Sequence, residues 1–385
     1  MCIRDSMLGD LFETLVYFER KEKGIVQNVE RLFHGKGDIQ VLNRQHAEKN
    51  FVRITTSTPL DDRQIDAISA EHGAISIKCL PPVLPISTPQ EMNVPFESCE
   101  QMLAYNRNRH LSLAELAVLY ESARGGLSRK EIVHKMIDIV RTMKSSLKTG
   151  LAGTRYKDRI LGCQSALYRE KQKSERLMDL GILNRIILYV TALMEAKSAM
   201  GLIVAAPTAG SCGGLPGTVL GAADVMGRSE SEIAESMLAA GLIGIFISTF
   251  STFAAEVAGC QAECGAGSGM AAAALVTLMG GTTENAVAAA SMALQNSLGM
   301  ICDPVANRVE VPCLGKNVMA AGNAVSCANM AFAGYDPVIP LDEVIQTMDA
   351  VGKRIPGEFR CTALGGLSVT ETSRRIEKNL FKNEG

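Results

Sequence analysis

At 385 residues the chain has room for two or three domains of roughly 150 residues each. Hydrophobic residues make up 47% and charged residues 21%, a globular balance that excludes a disordered chain. Lys+Arg 39 against Asp+Glu 41 leaves a net charge of −2, and aromatics are 5% with no Trp. Bulk attraction to nucleic acid or anionic membrane, and base stacking, are therefore not expected.

Residues 1–6 lead into no pattern and are set aside, since a second Met stands at position 7. Met1 to Glu22 carries interspersed charges and no apolar run, so a secretory leader is not expected. Residues 8–33 are amphipathic and predict a helix. Asp38–Leu42, Phe51–Thr55 and Ala74–Lys78 predict strands, and Asp61–His72 a helix. Pro81, Pro82, Pro85 and Pro89 then mark a boundary, which makes residues 1–90 a small α/β segment.

Beyond it, residues 91–385 predict one large all-helical domain, so the fold class is mainly α. Ser128-x-x-Glu131 is a capping box opening a helix that Gly150 closes, and Ser229-x-x-Glu232 is a second. A long charged helix is predicted from Lys171 to Lys197. Three windows follow without charge: between Lys197 and Asp224, from Ser236 to Ala255, and from Cys264 to Thr283. They have the length of membrane spans, but their Gly, Ser, Thr and Pro content and their lack of basic flanks favour buried core helices.

Gly265-Ala-Gly-Ser-Gly269 has the look of a dinucleotide loop, but the preceding residues are no strand and helix packing explains it better. All five histidines precede residue 135, so the part of the helical domain beyond that point has no His to use. Eleven cysteines in so long a chain point to reduced thiols in a cytoplasmic setting. Cys260, Cys302 and Cys313 stand in polar, small-residue surroundings, the last two beside Pro304 and Pro312, which break helices. Soft thiolates without His favour iron–sulfur or zinc, and the spacing alone leaves packing open as well. Ala205 to Gly214, with Thr208 and Ser211, reads as an anion-binding nest or as an interhelical loop.

Four ordered motifs carry a resemblance: Ala206-Pro-Thr-Ala-Gly-Ser211, Gly259-Cys-Gln-Ala-Glu263, Cys302-Asp-Pro-Val305 and Val311-Pro-Cys313 through Asn317, closed by Leu364-Gly-Gly-Leu367. Over roughly residues 95–370 the chain closely resembles the α-type catalytic domain of iron–sulfur-dependent L-serine dehydratase. The resemblance implies an all-helical domain whose [4Fe–4S] cluster is held by Cys260, Cys302 and Cys313, one iron being left open as a Lewis acid toward the serine hydroxyl. It also implies that Thr208, Ala209, Gly210 and Ser211 bind the carboxylate or amino group of L-serine. Arg155, Lys157 and Arg159 are further candidates for the carboxylate. No base is identified. A pyridoxal phosphate route would need a Schiff-base lysine, and only Lys316 lies near the motifs.

The chain departs from the family at Leu314-Gly315-Lys316, where a charged pair is usual, and at Asn307, where glycine is usual. It also lacks the Gly-Pro-Ser-Ser-Ser-His-Thr motif of the β-type partner domain, and residues 8–90 read as a remnant of that domain. Cys264 and Cys212 are rivals as ligands. The expected partners are small-molecule L-serine and a second copy or a β-type chain. Alternatives are a lyase acting on cysteine or another β-substituted amino acid, and a non-catalytic subunit.

Overall fold

The computed structural model describes residues 12–19, 27, 29, 31, 32, 38–42, 49–70, 74–80, 93–157 and 159–382. Helices dominate, and the chain divides into two compact units: Pro89–Arg155 with Ile160–Glu377, and Arg4–Thr88 with Tyr156–Arg159 and Lys378–Gly385.

The smaller unit holds strands β1 (Phe12–Glu19), β2 (Asp38–Leu42), β3 (Lys49–Thr56) and β4 (Ala74–Leu80), with helix α1 (Asp62–Ser69) between the last two. The sheet order is β2-β3-β1-β4 and every neighbouring pair is antiparallel. Gln27, Val29, Arg31 and Leu32, between β1 and β2, are helical, which completes a split β-α-β-β-α-β arrangement. Val16 and Phe18 on β1 and Val52 and Ile54 on β3 alternate onto one face and bury against Val29 and Ile68. Asp61 opens α1 with a capping box to Gln64.

β1 corrects the expected helix over residues 8–33. It is one of the two inner strands, flanked on both edges, and Thr14, Leu15, Val16, Tyr17 and Phe18 are all buried. A strand covered on both faces reads as a continuous apolar run without the period of two. The proline cluster and residues 1–6 lie outside the described residues.

The larger unit contains α2 (Cys99–Asn106), α3 (Leu113–Gly125), α4 (Arg129–Ala152), α5 (Gln164–Lys173), α6 (Ile182–Ser198), α7 (Gly214–Met226) and α8 (Glu230–Phe250). After α9 (Ala255–Ala258) and a π turn (Gln261–Gly265) come α10 (Ala266–Leu278), α11 (Thr283–Gln295), α12 (Cys313–Phe332) and α13 (Leu341–Arg354), and α14 (Glu371–Lys382) belongs to this unit as far as Glu377. α10 lies at the centre and packs against α7, α8, α11 and α12. Its residues Ala271 to Ala274 are fully buried, so the uncharged windows are core helices packed through small side chains. α8 is long and apolar enough to cross a membrane, and 67% of its most apolar window is buried against the rest of the protein. Both predicted capping boxes form, at Ser128 and at Ser229.

Two boundaries differ from expectation. α4 runs through Gly150 to Ala152; Gly150 is needed because a Cβ there would lie 2.0 Å from the Ala192 carbonyl oxygen. Its glycine marks backbone contact between α4 and α6 instead of a helix end. The Lys171–Lys197 helix is two helices, α5 and α6. Asp179 Oδ1 accepts the Gly181 N–H at 2.9 Å and Gly181 has φ +58°, a turn that no continuous helix accommodates.

Candidate metal centre

Four stretches of the larger unit converge. The first is the loop before α7, entered through a cis Ala206–Pro207 bond. The second is the π turn, one of the local distortions that re-aim side chains at functional sites. Gln261, fully buried, holds this turn in place: its Nε2 donates to Met348 O at 2.7 Å and its Oε1 accepts from Gly299 N–H at 2.9 Å. The third runs from Gly299 to the start of α12, and the fourth from Phe359 to Leu367.

The third and fourth stretches are bound to each other. Cys302 N–H donates to Phe359 O at 2.8 Å, and Cys361 N–H donates to Cys302 O at 2.9 Å. Asp303 Oδ2 accepts Leu367 N–H at 2.9 Å, and Gly366, at φ +60°, is glycine because a Cβ would come within 2.6 Å of that oxygen. Asn307 has φ +53°, a left-handed conformation that Asn tolerates better than most residues. The replacement of the family's usual glycine at this position therefore fits the backbone.

These connections bring thiols together. Cys260 lies in hydrogen-bonding reach of Cys264 and Cys302, and Cys302 in reach of Cys361 as well. The ten described cysteines are all free. Ligand atoms of Cys260, Glu263 and Cys302 lie within 4.8 Å of one another. Lys316 Nζ donates to Ile301 O at 2.6 Å and Asp303 Oδ1 at 2.8 Å, and lies 3.9 Å from Cys260 Sγ. Donation from the Cys264 and Cys302 thiols, assisted by the Lys316 ammonium, pulls Cys260 down to about 4. The same contacts push Cys264 and Cys302 up. Burial holds Cys313 up at about 12.

Cys313 is buried at the first turn of α12 beside Met194, Ile203 and Cys212, and is not part of the 4.8 Å group. Asn317, fully buried one turn on, connects it to the rest. Its Nδ2 donates to Cys313 O at 2.8 Å and Gly210 O at 2.9 Å, and lies 3.7 Å from Cys264 Sγ. Its Oδ1 accepts Gly214 N–H at 2.8 Å. Cys264 thus joins the sulfur set, whereas Cys212 faces Met194 Sδ at 3.8 Å.

The predicted loop borders the thiols through Glu263. Thr208 Oγ1 donates to Glu263 Oε1 at 2.6 Å and lies 3.0 Å from Ser211 Oγ. Ser211 is fully buried, while Thr208, Ala209, Gly210 and Glu263 are partly open to solvent. Burial raises the Glu263 carboxyl to about 7, against the lowering effect of the Thr208 hydroxyl. Arg155 and Lys157 are exposed, and the Arg159 guanidinium lies 5.0 Å from the Tyr156 ring centroid.

The sequence motifs include Glu263 and Asp303 but assign neither a role, and Cys361 lies outside them. The roll of motif residues carries a signal for Glu263; Cys361 is revealed only by the pairing of segments 58 positions apart. Several buried, unoxidised thiols beside two carboxylates and one ammonium form a soft donor set, suited to zinc or an iron–sulfur group and unsuited to Mg²⁺ or Ca²⁺.

A family model described as Serine dehydratase alpha chain matches residues 108–368. The chain is 32% identical over 286 residues to a probable L-serine dehydratase alpha chain of Bacillus subtilis (74% of this chain, 95% of the relative). It is 35% identical over 269 residues to the L-serine dehydratase alpha chain of Peptoniphilus asaccharolyticus (69% and 91%). L-serine dehydratase 1 of Escherichia coli is 34% identical over 283 residues, covering 71% of this chain and 62% of that protein.

Proposed function

Because the chain belongs to the serine dehydratase alpha chain family, we propose that it is an L-serine ammonia-lyase whose [4Fe–4S] cluster is held by Cys260, Cys302 and Cys313. The observation that carries the reading is the meeting of Cys260 and Cys302 with Glu263 at the edge of the Thr208–Ser211 loop. When bound, the cluster supplies a Lewis-acidic iron for the substrate's β-hydroxyl, a role that a histidine acid would otherwise have to fill.

The overall change removes the α-proton and the β-hydroxide of L-serine to give an enamine, which tautomerises and hydrolyses to pyruvate and ammonia. This chain's residues prepare for it in three ways. Lys316 places a positive charge beside Cys260 and favours its thiolate, the ligand form. Asp303, with one oxygen on Lys316 and the other on Leu367 N–H, fixes the backbone on the C-terminal side of Cys302. Asn317 ties the Cys313 turn to the Gly210 carbonyl, so the sulfur side and the loop side hold a common geometry.

The names of two relatives mark them as alpha chains, and the chain spans only 62% of the Escherichia coli relative. These facts support assembly with a β-type chain. Ten free cysteines support a reducing, cytoplasmic setting.

The test is pyruvate release from L-serine by protein reconstituted anaerobically with iron and sulfide, alongside Cys302→Ser. Turnover in the parent, absent in the variant and lost from the parent on aeration, is expected. Full parent activity after prolonged aeration and chelation would overturn the cluster assignment. No turnover by the parent, alone or with an added β-type chain, would overturn the lyase.

A further inference from the structure

We infer that Glu263 receives the substrate's α-ammonium, so that the Thr208–Ser211 loop frames a cation site and not an anion nest. The inference rests on the reading above and settles which end of the amino acid the loop takes. A loop of this composition accepts anions when its N–H and O–H donors are free. Here the Thr208 hydroxyl already donates to Glu263 Oε1 at 2.6 Å. Glu263 also fills the space that makes position 210 a glycine, since a Cβ there would stand 2.7 Å from Oε1. A carboxylate entering the loop would meet a carboxylate.

No counter-charge is in contact: the buried Lys197 ammonium acts on Glu263 only from a distance, with its Nζ on Val309 O. Among the described residues Glu263 has no ion pair, and Thr208 is its one hydrogen-bond donor. Lys316, the ammonium closest to the thiols in the hydrogen-bond network, is already directed at Ile301 O, Asp303 Oδ1 and Cys260 Sγ. A largely desolvated carboxylate with one neutral donor is under-satisfied, and a desolvated ammonium is the partner that completes it.

Position agrees with charge. Glu263 and residues 208–210 are partly open to solvent, whereas Cys260 and Cys302 behind them are buried. The Glu263 carboxylate lies within 4.8 Å of both sulfurs. In L-serine the α-nitrogen and the β-hydroxyl are on adjacent carbons. One small molecule can therefore present its ammonium to Glu263 and its hydroxyl to the sulfur side.

The experiment compares the cluster-loaded parent with Glu263→Gln, which keeps the shape and the Thr208 contact but removes the charge. Two probes are used: L-serine, and glycerate, in which a hydroxyl replaces the ammonium. Binding is read by calorimetry and by the change in the visible spectrum, iron content by chelation assay, and turnover as pyruvate. The expected result is unchanged iron content, L-serine binding weakened by about 30-fold or more, and glycerate binding equal or tighter. Losing one partner of a buried charge pair has effects of that order. Glu263→Asp is expected to fall between parent and Gln.

Three results would overturn the assignment. Loss of iron in Glu263→Gln would make the residue a metal ligand. Unchanged L-serine binding with loss of turnover and of α-proton exchange with solvent would make it the base. Equal weakening of both probes would make its role structural. A parent that binds L-serine but forms no pyruvate, with or without an added β-type chain, would refute only the lyase reading, and the binding comparison would still decide the role of Glu263.

Discussion

The interior of the helical unit is built in two ways a few residues apart. Where α4 and α7 cross α6 it is apolar, and helices touch backbone to backbone: Cβ atoms at Gly150, Gly217 and Gly221 would lie 2.0, 2.7 and 2.8 Å from the facing helix. Around Cys260 and Cys302 it is equally buried but polar, with Asp303, Gln261, Asn317 and Ser211 at 5% exposure or less. Close approach replaces side-chain contact in the first region, and saturated hydrogen bonding replaces apolar contact in the second. Burial alone therefore does not separate scaffold from site. What distinguishes the site is which atoms are left to be completed by something else.

The contrast can be broken at its strongest point. Gly150→Ala inserts a methyl where the Ala192 carbonyl stands, and is expected to destabilise the protein by about 3 kcal/mol or more. Thermal unfolding of the cluster-free protein measures it, and a loss under about 1 kcal/mol would mean that α4 and α6 can separate freely. Lys316→Met tests the polar region. It leaves Asp303, whose side chain is 6% exposed, without its ammonium, and is expected to cost about 3 kcal/mol while lowering iron retention. A stable variant with normal iron content would show that Leu367 N–H alone satisfies Asp303.

A smaller effect sharpens the comparison from outside both regions. Ser128→Ala removes the exposed cap of α4 and is expected to lower stability by about 1 kcal/mol with no change in iron binding or turnover. Any effect on iron would link the far end of α4 to the centre.

Much of this architecture is legible in the sequence because it is local. Capping boxes at Ser128 and Ser229, the absence of charge in the central windows and the breaks at Pro304 and Pro312 are short-range signals, as are the motif thiols. β1 is misread because a centrally placed strand loses the alternation that identifies strands. Gly150 and the Gly181 turn are misread because a glycine can end a helix, cross one or turn between two, and only the facing chain tells which. The convergence at the centre is not local at all. Thr208 and Glu263 are 55 positions apart, Asp303 and Leu367 are 64, and Gly210 and Asn317 are 107. Residue types at those positions announce chemistry, but their mutual distances are set by the packing of α7, α10 and α12.

The pairing of Cys302 with Phe359 and Cys361 also dictates an order of events during synthesis. When residue 313 has been added to the growing chain, every proposed cluster ligand exists, but none is yet in its final setting. Asp303 still waits for Leu367, and the Ala306 N–H waits for the Ser373 hydroxyl, which accepts it at 2.9 Å across 67 positions. The centre is therefore completed late, by nearly the last part of the helical unit to emerge. A chain ending before residue 359 would carry the proposed ligands without the hydrogen bonds that frame them.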